Sequence, residues 1–189
     1  MINWICIFLA IVALWSFSQS HSSAFAQGDS KDKVGRENQC ITQFNELTAT
    51  LGASDWPQLE RLANRFLRDC KGVLIPEHYS MAYEYLAIAN MNLKNPTAAL
   101  AACEKCLETF YDNIGCHTNK LEILMGLDRF PEARTEFKIA ENLVTRVIEQ
   151  TERALREASD PSYKELYSTK IKYLRSLEEF LDSIRNKFY

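Results

Sequence analysis

Residues 83–106 read YEYLAIANMNLKNPTAALAACEKC, and residues 117–140, 34 positions later, read HTNKLEILMGLDRFPEARTEFKIA. In each stretch an apolar helical pattern ends at a short turn, which leads through proline into a second helical pattern. The spacing of three and four residues predicts helices, and the common offset predicts a helical hairpin that recurs at this fixed interval. The aligned positions are Tyr83, Leu86, Ala87, Ala99, Cys103 and Cys106 with His117, Lys120, Leu121, Ala133, Phe137 and Ala140.

This repeated pattern resembles the tetratricopeptide repeat (TPR) family. Residues 80–113 and 114–147 form two units in the family's register, and a degenerate hairpin over 37–70 precedes them, offset by about six extra residues. The resemblance implies an all-α fold, an α-solenoid of antiparallel helix hairpins with a groove that binds other proteins. The matching residues are Tyr83, Leu86, Ala87, Ala99, Cys106, Ala133, Phe137 and Ala140, and the departures are Asn90, Cys103, Tyr111, His117, Lys120 and Leu121.

The five prolines mark where helices begin. All of them fit the first turn of a helix, where the missing N–H has no intrahelical acceptor. Asp55, Asn95 and Asp160 stand just before three of these turns and are predicted N-caps, because their side-chain oxygens can accept from the unpaired N–H groups. About seven helices are therefore predicted, over 37–51, 57–70, 77–93, 96–111, 114–127, 131–158 and 161–187.

The N-terminal segment is typical of an exported protein. Residues 1–26 contain no Asp, Glu, Lys or Arg, an apolar run extends from Trp4 to Trp15, and Ala24-Phe25-Ala26 matches the small-x-small pattern of signal peptidase. The sequence predicts a signal peptide over 1–26, cleaved after Ala26, and a periplasmic or secreted protein that is held at a membrane only if cleavage fails. Residues 27–36 show no helical pattern and are predicted to form a flexible N-terminal arm.

The C-terminal helices depart from the repeat. The repeat domain is predicted over 37–160, but its last helix, 131–158, extends beyond one repeat and carries an apolar stripe along its length. Residues 161–189 carry a continuous apolar seam and are predicted to be a capping helix packed on the helix at 131–158. Homodimerisation through residues 131–187 is the alternative interpretation of the same seam.

Charge and composition limit the classes of partner. The formal net charge of −3 provides no basic field for phosphate, so nucleic acid is disfavoured. The content of 47% hydrophobic and 25% charged residues is that of a globular domain rather than a disordered chain. A folded, exported protein that binds another protein or peptide fits these limits.

The cysteines predict a disulfide framework. Signal-peptide cleavage would leave five cysteines in an oxidising compartment, where disulfides persist. Cys40 and Cys70 lie at adjoining ends of antiparallel helices, which predicts one bridge. Cys106 and Cys116 lie at similar heights on either side of the turn between the helices at 96–111 and 114–127. They are the favoured second pair, with Cys103–Cys116 as the other possibility.

Sequence patterns for catalysis, metal binding or cofactors are weak. The spacing Cys103-x-x-Cys106 matches a redox motif, but it lies in mid-helix rather than at the helix N-terminus that lowers a thiol pKa. Cys116 and His117 complete four possible zinc ligands, but the spacing is shorter than typical zinc sites use. His78 and His117 fall in no triad, and the sequence contains no phosphate-binding glycine-rich loop. We therefore expect no enzyme activity, metal or cofactor.

A binding groove follows from the resemblance. Family members line it with the first helix of each repeat, and the groove suits an extended or helical peptide. Methionine adapts to varied apolar partners, although these side chains could instead pack against the preceding helices. Glu84 and Ile88 replace the cation and amide of the family's carboxylate clamp, so a partner held by its C-terminal carboxylate is disfavoured. The corresponding residues are Met81, Glu84, Ile88, Met91, Gly115, Thr118, Glu122 and Met125.

Together these patterns predict a non-catalytic protein-protein interaction module, an adaptor or assembly factor. Two alternatives remain open at this stage. One is a thiol-active protein that exchanges disulfides through Cys103, Cys106 or Cys116. The other is a structural subunit that dimerises through its C-terminal helices.

Overall fold

The structure, a computed structural model, describes residues 30–188, in which seven helices are joined by short turns and no strand occurs. The chain is therefore all-α, as predicted. The predicted signal peptide and the cleavage point after Ala26 lie outside the described residues. The helices are α1 (Ser30–Ala53), α2 (Trp56–Asp69), α3 (Pro76–Asn92), α4 (Pro96–Thr109), α5 (Ile114–Gly126), α6 (Phe130–Glu157) and α7 (Pro161–Arg185).

The predicted N-caps account for the helix starts. The side chains of Asp55, Asn95 and Asp160 accept hydrogen bonds from backbone N–H groups of α2, α4 and α7, at 3.1, 3.3 and 2.8 Å. Every proline lies at the first or second position of its helix. Asn113 caps α5 in the same way, by accepting from the Cys116 N–H at 3.0 Å. Because the caps satisfy donors that a helix start leaves unpaired, they fix where each helix begins.

Two hairpins repeat each other at the level of single hydrogen bonds. We call α1–α2, α3–α4 and α5–α6 the first, second and third hairpins. In the turn of the second, the N–H groups of residues 93, 94 and 95 bond to the carbonyls of 89, 91 and 90. In the third, residues 127, 128 and 129 bond to 123, 125 and 124, each shifted by 34. Lys94 and Asp128 both take a left-handed φ, 59° and 58°, which is the usual way to end a helix sharply.

The turn of the first hairpin shares the left-handed residue and the hydrogen bond of that residue's N–H, here from Ser54 to the Leu51 carbonyl, at a different offset. Ser54 takes a φ of 58° and lies 40 positions before Lys94, so six residues have been added between the first and second hairpins. The added stretch follows Cys70 and is held by the Tyr79 hydroxyl. That hydroxyl donates to the Cys70 carbonyl and accepts from the N–H groups of Val73 and Leu74, at 2.8 and 2.9 Å.

The helices pack in chain order. Each helix contacts the next, and α3 also contacts both α1 and α5. One hydrophobic cluster joins α1, α2 and α3, and a second extends from α3 to α7. Helix α3 contributes to both clusters, with Tyr85 in the first and Ala87 in the second, so it links the N-terminal hairpin to the rest of the protein.

The last helix pairs with α6 as the apolar seam predicts. Leu174, Leu177, Leu181 and Ile184 are buried, and the ring centroid of Phe188 lies 5.1 Å from that of Phe137 in the third hairpin. The pair is flanked by exposed ion pairs between Arg185 and Glu141 and between Arg175 and Glu152. Residues 30–188 contain no helix that is both long and apolar enough to cross a membrane.

The structure differs from the prediction at the start of α1. That helix begins at Ser30 rather than near residue 37, so residues 30–36 of the predicted flexible arm are helical. Their side chains from Asp32 onward are exposed, and Gly35 and the mixed charges carry no apolar period. Extending a helix already held by packing costs little, because each added residue gains one hydrogen bond without a new nucleation step. Periodicity cannot detect such an extension.

Candidate functional site

The predicted groove residues lie on adjacent helices. We define the α3–α5 face by Met81, Glu84, Ile88 and Met91 on α3 and by Gly115, Thr118, Glu122 and Met125 on α5. The two helices contact each other, so the residues share one region of the molecule. Their exposures differ: Glu84 and Thr118 are buried, Glu122 is exposed, and the others are half-buried.

The apolar members of the face are partly used by the core. Met81 and Ile88 pack against the cluster of the first hairpin, whereas Met91 and Met125 pack against the cluster of the later helices. Each keeps part of its surface in contact with solvent. These side chains therefore support the core and also expose part of their apolar surface.

Glu84 occupies an unusual position for a carboxyl group. Its residue is 5% exposed, and its carboxyl lies against Gly115, where a Cβ atom would come within 2.1 Å of Oε1. Only glycine leaves this space free. No hydrogen-bond partner of Oε1 is found within residues 30–188. Burial raises the pKa of the Glu84 carboxyl to about 7, despite the opposing effect of a hydrogen bond with the Asn113 side chain.

Glu122 is a second acidic group on the same face. Although its side chain touches solvent, the surrounding protein removes enough water to raise the pKa of its carboxyl. In the described part of the chain neither Glu122 nor Glu84 forms a salt bridge. The face therefore holds two desolvated carboxyl groups that form no ion pair with a cation of residues 30–188.

Helix α7 contributes Tyr173 to the surroundings of this face. Tyr173 packs against the cluster that contains Met91 and Met125. Burial, and then the charges of Glu84 and Tyr85, raise the pKa of its hydroxyl. Tyr173 therefore lies close enough to Glu84 for the two groups to interact electrostatically. Lys170, one turn earlier on α7, is also desolvated, and burial lowers the pKa of its amine.

The predicted disulfides are confirmed. Cys40 bonds to Cys70, with Cα atoms 5.6 Å apart, and Cys106 bonds to Cys116, with Cα atoms 6.4 Å apart. Cys103 is free and fully buried. Burial, followed by the charge of Glu84, raises the pKa of its thiol to about 12. Because the thiolate is the reactive form, Cys103 is a poor nucleophile in this fold.

His117 belongs to a buried ion cluster that sequence reasoning missed. Its residue is 1% exposed, with Nδ1 2.8 Å from a Glu136 oxygen and Nε2 2.9 Å from the Tyr111 carbonyl. Both ring nitrogens of His117 are therefore within hydrogen-bond distance of an oxygen. Lys120 Nζ lies 2.6 Å from the other Glu136 oxygen. Burial alone would raise the pKa of Glu136, but hydrogen bonds from His117 and Lys120 keep it below its ordinary value.

These contacts also occupy the groups that could have formed a zinc site. Cys106 and Cys116 are bonded to each other, and both nitrogens of His117 have oxygen partners. Residues 30–188 hold no cluster of three or more side chains suited to a metal ion.

No protein-family model matches the chain, and no curated protein matches it.

Proposed function

We propose that this chain is a non-catalytic protein-binding module, an adaptor or assembly factor, that holds a peptide or helix of its partner on the α3–α5 face. We further propose that its hairpins stack as in the tetratricopeptide repeat family and that it acts after export. The observation that carries the proposal is the α3–α5 face itself, on which half-buried methionines lie beside unpaired acidic groups.

The repeated hairpin geometry supports this arrangement. Turn hydrogen bonds recur at the interval of the repeat, and α3 contacts α5. Both observations support a stack in which the two helices are equivalent, one on each hairpin. A face built from equivalent helices is an extended surface, which suits a peptide or helix better than a small molecule. Export is supported by the two disulfides, since such bonds are rarely kept in reducing compartments.

Thiol exchange is the weaker candidate. It would need an accessible thiolate, whereas Cys103 is fully buried and has a raised pKa. Dimerisation through α6 and α7 is also weaker, because α7 already buries its leucines against its own chain.

Site-specific crosslinking tests the proposed function. A photoreactive benzoylphenylalanine replaces Glu122, which is exposed on the α3–α5 face, and a matched variant carries it at Glu104, exposed on α4. In the native host compartment, we expect a discrete adduct with one partner from position 122 and none from position 104. Equal adducts from both positions, or adducts from 104 alone, would contradict the proposal.

A further inference from the structure

The carboxyl group of Glu84 is incompletely satisfied by its own chain. It is 5% exposed, Oε1 has no partner among the described residues, and the hydrogen-bonding side chain that lowers its pKa is the neutral Asn113 amide. A buried carboxylate without a cation carries a desolvation cost that favours its protonated form. The carboxyl accordingly retains its proton up to a pH of about 7, the value to which burial raises its pKa.

The groups that face Glu84 offer no positive charge. Tyr85 lies next to it on α3, Tyr173 approaches from α7 and Cys103 from α4, and burial raises the pKa of each. All three are therefore neutral around pH 7. Lys170 is desolvated one turn from Tyr173 but contributes to the pKa of neither Glu84 nor Glu122.

The carboxyl groups of Glu84 and Glu122 are separated by a distance that can be read along α5. Gly115, against which Glu84 lies, and Glu122 are seven residues apart on α5, which corresponds to about 10 Å along the helix axis. The half-buried Met91 and Met125 lie on the same face. Two acids about 10 Å apart match cations seven residues apart in a helix, because that spacing covers about the same rise and keeps both side chains on one face.

On this charge complementarity we infer that the partner segment is basic and amphipathic, and that one of its lysine or arginine side chains forms an ion pair with Glu84. The inference rests on the proposed function of the α3–α5 face. Long cationic side chains can lay their methylene groups over methionine while the charged end reaches an acid. An acidic segment would instead meet two unpaired carboxyl groups, which disfavours it by like-charge repulsion.

A peptide library provides the test. Random 16-residue peptides displayed on phage are selected on the purified protein, and selected peptides are then synthesised. We expect lysine or arginine to be enriched among apolar residues. The synthetic peptides should bind Glu84→Gln at least tenfold more weakly than wild type and should bind Glu104→Gln, a control on α4, with unchanged affinity.

The pH dependence gives a second readout. Ionised Glu84 attracts the cation, so affinity should fall at least threefold between pH 8 and pH 5.5 in the wild type. Glu84→Gln should show a flatter profile. This readout remains interpretable if the substitution also changes stability, because it compares slopes rather than absolute affinities.

The outcomes separate the two proposals. Enrichment of apolar peptides without basic residues, bound equally by wild type and Glu84→Gln, overturns the inference and leaves the protein-binding function intact. Enrichment of acidic peptides also overturns the inference. Failure to enrich any peptide on the wild type contradicts both.

Discussion

The second and third hairpins share one backbone and differ in the chemistry of their side chains. Their turns have the same hydrogen bonds, yet the third joins His117, Lys120 and Glu136 in a cluster where the second has Tyr83, Leu86 and Ala102. Conversely, the second buries Glu84 where the third has Thr118. The polar side chains of the third hairpin are partners of one another, whereas Glu84 Oε1 in the second has no partner among residues 30–188. Backbone geometry therefore fixes the repeat, and charge pairing distinguishes its copies.

The largest expected effect comes from breaking the ion cluster of the third hairpin. Glu136→Ala leaves the Lys120 charge without its partner and removes the contact of the buried His117 ring, and it should reduce the free energy of unfolding by about 4 kcal/mol, as for a broken buried pair. Denaturant unfolding measures the loss.

The matched control transplants the second hairpin's residues into the third. The triple variant His117→Tyr, Lys120→Leu, Glu136→Ala removes all three polar side chains together and leaves no partner unpaired, so its stability should stay within about 1 kcal/mol of wild type or exceed it. A triple variant as unstable as Glu136→Ala alone would show that stability requires these three side chains themselves. The loss in Glu136→Ala could then not be attributed to a charge left without its partner.

The two disulfides close loops of different length, and the longer loop belongs to the first hairpin. Its disulfide closes a sequence separation of 30 residues, against 10 for Cys106–Cys116. In the chain-entropy account, replacing both cysteines of a pair by serine should cost about 3.5 kcal/mol for Cys40–Cys70 and about 2.5 kcal/mol for Cys106–Cys116. Thermal unfolding of the two double variants gives the order, and the reverse order would argue against loop entropy as the main term.

The raised pKa of Glu84, in the second hairpin, predicts that the stability of the protein depends on pH. The folded state binds its proton more tightly than the unfolded state, so stability should fall as the pH rises from near 4.5 to about 7 and then level off. The fall attributable to this group is up to about 3 kcal/mol, from the size of the pKa change. Glu84→Gln should remove it, as measured by urea unfolding at pH 5 and pH 8. An identical slope in both proteins would show that Glu84 is not responsible.

The smallest effect concerns the glycine beneath Glu84. Gly115→Ala places a Cβ atom on the carboxyl and should cost about 1–2 kcal/mol through overpacking. In a Glu84→Ala background the same change should stabilise the helix by up to about 1 kcal/mol, since alanine is the better helix former. A double-mutant cycle measures the coupling, and a value near zero would mean that the two residues do not interact.

Sequence reasoning succeeded where local chemistry decides the structure. Proline with a preceding Asp or Asn marks a helix start regardless of tertiary contacts, and the antiparallel arrangement of the first two helices predicted that Cys40 lies beside Cys70. The start of α1 escaped because an exposed helix extension carries no apolar period. The stacking of the hairpins as a solenoid, export and the partner remain predictions.

The ion cluster and the burial of Glu84 could not be predicted from single positions. His117 and Lys120 looked like two unrelated departures from the repeat, because their common partner Glu136 lies on the next helix. The available signal was that His117 and Lys120 depart together in one repeat. Glu84 resembled an ordinary surface acid, and only the absence of a side chain at Gly115, on another helix, allows it to be buried.

Binding measured on two variants tests the central comparison most directly. A library-selected peptide is titrated into wild type, Glu84→Gln and the triple variant His117→Tyr, Lys120→Leu, Glu136→Ala, all at pH 8. If the second hairpin's acid serves binding and the third hairpin's ions serve stability, affinity falls at least tenfold in Glu84→Gln and is unchanged in the triple variant. Unchanged affinity in Glu84→Gln together with loss of binding in the triple variant would contradict this account.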